Sequence, residues 1–154
     1  MTTRRGGSRR IDPRFAWFQL QIRRSPIDRW GVFAAETIPP GKKVMQYTGE
    51  RITNRESMRR AAKLWLAGKL KRTYTIVLTR RWIIDGSVGG SGAELINYSC
   101  DPNLTVRKRG GRIFLYSLKR IRRGEELTAN YGFRCLSPCR CGAANCRGTM
   151  CQEC

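Results

Sequence analysis

Six of the seven cysteines in this 154-residue chain crowd between Cys135 and Cys154. Such density leaves two architectures open, a disulfide knot or a metal-stapled segment, and the redox compartment decides between them. The N-terminus is rich in Arg, Gly and Ser with no apolar run behind it, so secretion is not expected and the cysteines read as metal ligands in a reducing cell interior. No run approaches the roughly 18 apolar residues of a spanning helix. The expectation is a soluble intracellular protein, cytoplasmic in a prokaryote or nuclear in a eukaryote. Cys139, Cys141 and Cys146 have C-x-C-x4-C spacing, which lets three thiolates converge on one ion while Gly142 relaxes the turn. Tetrahedral zinc takes four ligands. Spacing alone leaves Cys135, Cys151, Cys154 and the distant Cys100 as candidates for the fourth.

The chain is the size of one domain. It has no histidine, which excludes imidazole bases, His-dependent triads and His-metal catalytic sites. With 31 basic against 11 acidic residues its formal charge is +20, so an anionic partner and a purely compositional origin weigh equally. Residues 1–14 are too poor in apolar side chains to fold alone and read as a mobile basic tail. From Trp17 to Ile22 the alternation sets Phe18, Leu20 and Ile22 on one strand face. Further short strands are expected at Val32 to Ala34, Lys43 to Tyr47, Tyr74 to Thr79, Trp82 to Asp85, Arg112 to Ser117 and Leu127 to Asn130. One helix is expected from Asn54, as cap, to Ala67, with Met58, Ala61, Ala62 and Trp65 at helical spacing and a basic excess continuing to Arg72. Ile38-Pro-Pro-Gly-Lys-Lys-Val44 echoes Ile121-Arg-Arg-Gly-Glu-Glu-Leu127, two similar turns that each launch a strand. The pattern is a β-rich α+β domain with one inserted helix (about 54–72) and a Cys-rich end.

Four further segments carry chemistry: Arg29-Trp-Gly-Val-Phe33, Tyr47-Thr-Gly-Glu50, Asn97-Tyr-Ser-Cys-Asp-Pro-Asn103, and Gly124-Glu-Glu-Leu-Thr-Ala-Asn-Tyr-Gly-Phe133. In this order and spacing, followed by C-x-C-x4-C, they resemble the SET-domain protein lysine methyltransferases with a zinc-binding post-SET tail and no pre-SET region. The resemblance covers Trp17 to Thr149. It implies a fold of several small sheets, with a SET domain at 15–133 and a post-SET segment at 134–154.

The resemblance also implies roles. Arg29, Trp30 and Gly31 should line the methionine end of S-adenosylmethionine, Asn97 and Tyr98 its amino group and adenine, and Tyr74 should contact the cofactor from a strand start. Tyr47 and Tyr131 match the tyrosines of a lysine channel, with Tyr131 essential for transfer. One structural zinc would be held by Cys100, Cys139, Cys141 and Cys146. The residue types suit the reaction: methyl transfer from a sulfonium to an amine is an in-line displacement, so alignment supplies most of the rate. An apolar channel keeps the lysine neutral. The partner is then a protein bearing a target lysine, a histone or a DNA-associated protein, with DNA contact expected through the tail and helix.

Three positions depart from the family pattern. Tyr98 stands where most relatives have His, and its adenine contact should be through the main chain. Glu94 replaces Arg and brings a carboxylate toward the cofactor's own, with Arg29 as the nearest counter-charge. Ala129 replaces a channel aromatic and should leave space for a second methyl group. Two other classes are open to a basic, Cys-rich chain. A nucleic-acid-binding module has no use for Tyr47, Asn97 and Tyr131 at this spacing. A redox protein needs a C-x-x-C beside a βαβ unit, and Cys151-Gln-Glu-Cys154 is the lone such spacing.

Overall fold

Short runs of β-branched and aromatic residues, cut by Gly and Pro turns, pair into two sheets in the computed structural model, which describes residues 9–69, 73–132 and 137–150. The strands are β1 (Leu20–Arg24), β2 (Trp30–Ala34), β3 (Lys43–Tyr47), β4 (Glu50–Thr53), β5 (Thr75–Val77), β6 (Trp82–Asp85), β7 (Asn97–Tyr98), β8 (Leu104–Arg109), β9 (Arg112–Ser117) and β10 (Glu126–Ala129). One helix, α1 (Asn54–Leu66), follows β4, and 3-10 turns occupy Pro13–Phe15 and Ala93–Leu95. The larger sheet runs β1-β2-β10-β8-β9-β3, and the smaller runs β4-β6-β5. Among the described residues no helix is long and apolar enough to cross a membrane.

The site is positioned by β10. It pairs antiparallel with β2 and parallel with β7 and β8, setting Thr128 beside Asn97 and Ala129 between Tyr98 and Leu104. Tyr131, two residues on, therefore emerges against the 96–98 segment. Val32, Val44, Met45, Leu104, Ile113, Leu115 and Leu127 close the core beneath it. The two echoed turns meet: Ile38 and Ile121 exchange both backbone hydrogen bonds, at 2.8 and 2.9 Å, and both side chains are fully buried. The similarity thus serves a pseudo-symmetric contact, not a repeat.

Several expectations change. The first strand begins at Leu20 instead of Trp17, and β4, β7 and β8 were not anticipated. The helix cap is Thr53, whose hydroxyl accepts from Glu56 N at 3.2 Å, while the Asn54 amide donates to the Arg80 carbonyl at 2.5 Å. The apolar stripe of α1 is not its docking face, since Met58 and Trp65 are 72% and 70% exposed. Ions hold the helix instead. Arg60 reaches Glu56 from Nε at 2.7 Å and, from Nη1, Glu50 at 2.8 Å and the buried Asp85 at 2.9 Å. Arg60→Met should therefore cost about 2 to 3 kcal/mol, because Asp85 keeps its desolvation and loses its cation. Urea unfolding measures this, and a cost near zero would mean that water replaces the guanidinium.

Arg9–Arg14, expected as part of a mobile tail, are packed. Asp12 N donates to Ser91 O at 2.9 Å, Ile11 joins the core, and the Arg9 guanidinium lies 4.4 Å from the Trp30 ring centroid. Residues 1–8 lie outside the described residues.

Candidate active site and metal centre

An open cleft of about 1230 Å³ has Arg29, Trp30, Tyr74 and Asn97 in its wall, with Arg9 and Arg10 of the N-terminal segment and Glu94 completing it. It lies where the turn between β1 and β2 meets β7. Arg29 has φ 41°, the sole non-glycine residue in the left-handed region among the described residues, so the turn carries local strain at the cleft wall. The Arg9 and Arg24 guanidinium groups lie 4.4 and 4.5 Å from the centroid of the Trp30 indole.

The turn is fixed from below by Glu126, a residue that sequence reasoning missed although it lies in the Gly-Glu-Glu motif. Both its carboxylate oxygens accept from Ser25 Oγ at 2.8 Å, and Oε1 also accepts from Asn97 Nδ2 at 2.8 Å. Asn97 Nδ2 donates further to Trp30 O at 3.0 Å. The amide nitrogen is thus committed to protein contacts, while Oδ1 has no protein partner among the described residues. Gly31 is required here: a Cβ would run into the Glu126 carboxylate and stand 3.1 Å from Ser25 Cβ. Gly31→Ala should displace Glu126, cost about 1 to 3 kcal/mol of stability and weaken cofactor binding in calorimetric titration. Unchanged binding would separate this support from the cleft.

Tyr47 and Tyr131 lie behind the wall. Tyr47 is buried, and its hydroxyl donates to Tyr74 O at 2.6 Å. The half-buried Tyr131 donates its hydroxyl to Ile96 O at 3.0 Å. Burial pushes both phenols well above the ordinary tyrosine range, and the charge of Glu94 pushes the same way. Both stay protonated near neutral pH and act as fixed dipoles, not as bases.

Two expected positions differ. Tyr98 is buried away from the cleft, and its hydroxyl accepts from Arg147 Nη2 at 2.9 Å, tying β7 to the Cys-rich segment. Ala129 is fully buried in the core.

The Sγ atoms of Cys100, Cys139, Cys141 and Cys146 all lie within 4.8 Å of one another, with Cys100 and Cys139 at 3.8 Å. Tetrahedral zinc at about 2.3 Å from each sulfur demands separations of about 3.8 Å, so the donor set and spacing fit that ion. Backbone amides also aim at sulfur: Cys100 N–H points to Cys141 Sγ and Gly148 N–H to Cys146 Sγ, each at 3.5 Å. Burial pushes the Cys139 thiol up to about 12. Burial also raises Cys141, but the amides of Cys100 and Ala143 together with hydrogen bonds from Cys139 and Ser99 bring that thiol down to about 6. Cys135, Cys151 and Cys154 lie outside the described residues.

The sequence has relatives among known proteins. The SET domain family model matches residues 29–132. The chain is 36% identical over 141 residues to "Histone-lysine N-methyltransferase, H3 lysine-4 specific" of Saccharomyces cerevisiae, covering 85% of this chain and 13% of the yeast protein. A protein of the same name from Eremothecium gossypii is 36% identical over 137 residues, covering 82% and 14%. "Histone-lysine N-methyltransferase ash1" of Drosophila melanogaster is 33% identical over 130 residues, covering 79% and 6%. The chain thus spans no more than 14% of the length of these relatives. With two thirds of its length matched by the family model and the cleft built from the matched segments, the chain belongs to the SET-domain family.

Proposed function

We propose that the chain is an S-adenosylmethionine-dependent protein-lysine N-methyltransferase. The observation that carries this reading is the convergence of Trp30, Asn97 and Tyr74 on one cleft, with the Tyr47 and Tyr131 phenols buried beside it. Bound in that cleft, the cofactor supplies an electrophilic methyl group on a cationic sulfur. The residues fit it. Asn97 Oδ1 is an open acceptor for an amino group, Arg9, Arg10 and Arg29 bring positive charge to meet a carboxylate, and Trp30 offers an aromatic wall. Tyr131 and Tyr47 orient the incoming amine, their geometry set by the Ile96 and Tyr74 carbonyls. Among the expected cofactor contacts, Tyr98 acts through its backbone in β7, with its side chain locking the Cys-rich segment.

In this reading residues 15–133, with Arg9–Arg14 packed against them, form the catalytic domain. Segment 134–154 is its metal-binding extension, with one structural zinc on Cys100, Cys139, Cys141 and Cys146. The acceptor is a lysine of a histone-type protein, a reading supported by the names of the relatives. A chain of charge +20 repels a free basic tail, so a nucleoprotein in which DNA lies between the two suits it better. On α1, Arg59 and Arg60 are taken up by carboxylates, while Arg55 and Lys63, with Lys69 just beyond the helix, carry no ion pair among the described residues and are the cations open to phosphate. Incubation with isotopically labelled S-adenosylmethionine and either free histone H3 or nucleosomes, read by intact mass, tests both points. Label on neither acceptor sinks the reading, and equal rates on both remove the role of DNA.

A further inference from the structure

We propose that Glu94 receives the ammonium group of the acceptor lysine in the cleft and takes its proton before methyl transfer, an inference that rests on the methyltransferase reading above. Glu94 sits half-buried on the Ala93–Leu95 turn, in the cleft wall. It is held against a bare glycine loop. Gly92 N donates to Oε2 at 2.9 Å, and a Cβ on Gly90 would stand 2.5 Å from that oxygen. Beside Gly86, one and the same point lies 2.9 Å from Glu94 Cβ and 2.8 Å from Tyr47 Oη, so the acidic side chain and the phenol are neighbours.

Charge pairing singles it out. The other carboxylates in the cleft wall each have an arginine: Asp12 has Arg14, while Glu50, Glu56 and Asp85 share Arg60. Among the described residues Glu94 has no ion-pair partner, in a chain with 31 basic residues. The cations Arg9, Arg10 and Arg29 line the same cleft and hold no bond to it. Tyr47, Tyr74 and Tyr131 are the phenols around it. Tyr47 and Tyr131 have their protons committed to carbonyls, and the chain has no histidine. A half-buried carboxylate without its own cation, next to groups that cannot take a proton, is complementary to an incoming ammonium ion. Burial also pushes the Glu94 carboxyl above the usual range, which suits a proton acceptor near neutral pH.

The step balances. The ammonium N–H bond breaks with its electron pair left on nitrogen, and an Oε–H bond forms on Glu94. That lone pair then attacks the methyl carbon as the carbon–sulfur bond breaks toward sulfur. Glu94 afterwards returns its proton to solvent.

The test compares the wild type with Glu94→Gln on free histone H3 and on nucleosomes, measuring kcat/KM from about pH 6 to pH 10 on whichever acceptor the wild type labels. Wild-type activity should level off above neutrality. The variant should be about 1000-fold slower at pH 7 and rise about tenfold per pH unit, converging with the wild type at about pH 10, close to the intrinsic lysine pKa of about 10.4. Glu94→Asp, which keeps the charge, should recover part of the activity, and thermal unfolding checks that both variants fold. Coincident pH profiles overturn the proposal. So does an unchanged profile with weakened binding of S-adenosylmethionine, which would assign the carboxylate to the amino group of the cofactor. A wild type that methylates no lysine at any pH removes the underlying reading, and the proposal with it, whereas an active wild type with coincident profiles removes Glu94 alone.

Discussion

Tyr131→Phe is expected to slow methyl transfer by at least about 100-fold while leaving the fold in place. The hydroxyl donates to the Ile96 carbonyl, and loss of that bond should cost about 1 kcal/mol of stability. Its effect on rate is larger because the reaction depends on alignment, and a misplacement of about 1 Å in such a site costs about two decades. The phenol cannot be replaced by a neighbour, since the Tyr47 hydroxyl is bound to the Tyr74 carbonyl. Single-turnover kinetics on a preloaded complex should show the loss in the chemical step, with cofactor affinity nearly unchanged. A variant with turnover within a factor of three of the wild type would assign Tyr131 to packing alone.

Cys141→Ser should abolish metal binding and, with it, activity. The four sulfurs join the loop after β7 to a segment about 40 residues further on, and among the described residues few other contacts make that join. They include the Tyr98–Arg147 hydrogen bond, the Cys100 N–H to Cys141 Sγ, and contacts of Arg147 with Cys100 and of Ser99 with Cys141. Structural zinc in small Cys-rich sites contributes about 10 to 16 kcal/mol of apparent binding free energy, most of it expressed as order in the segment that carries the ligands. Elemental analysis should find one zinc per wild-type chain and almost none in the variant. Proteolysis should then cut within 134–150 while sparing the sheets. Full zinc occupancy in Cys100→Ser would instead make one of Cys135, Cys151 or Cys154 the fourth ligand.

The helix, most strands and the Cys-rich end were legible because each has a periodic or compositional signature. What was hidden depends on partners far away in sequence. Strand β8 carries Arg107, Lys108 and Arg109 and reads as a charged loop, yet its opening Leu104 is fully buried and the strand is held by the apolar β9. The spacing of Met58 and Trp65 suggests a buried helix face. Arg60 overrides it, because its three carboxylate partners come from β4, β6 and α1 itself. Glu126 looks like one of many charged turn residues until Ser25 and Asn97 are brought beneath it. Tyr98 was placed by analogy at an adenine. The side chain turns toward Arg147, a pairing that no local pattern announces.

The place of β10 has a consequence for how the chain acquires its structure. The strand made last is the one in the middle: residues 126–129 join the β1-β2 pair, formed near the N-terminus, to the β8-β9-β3 group. Until Glu126 has been synthesised, β2 and β8 both present an unpaired edge, and no earlier segment of the chain fills the gap in the larger sheet. Closing it requires a loop of about 90 residues, which raises contact order and slows folding. A nascent chain halted before β10 would thus display two open strand edges, the form most prone to pairing with other chains. The larger sheet is therefore expected to close only after residues 126–129 have left the ribosome, and yield in a heterologous host should respond to chaperone level more than to temperature.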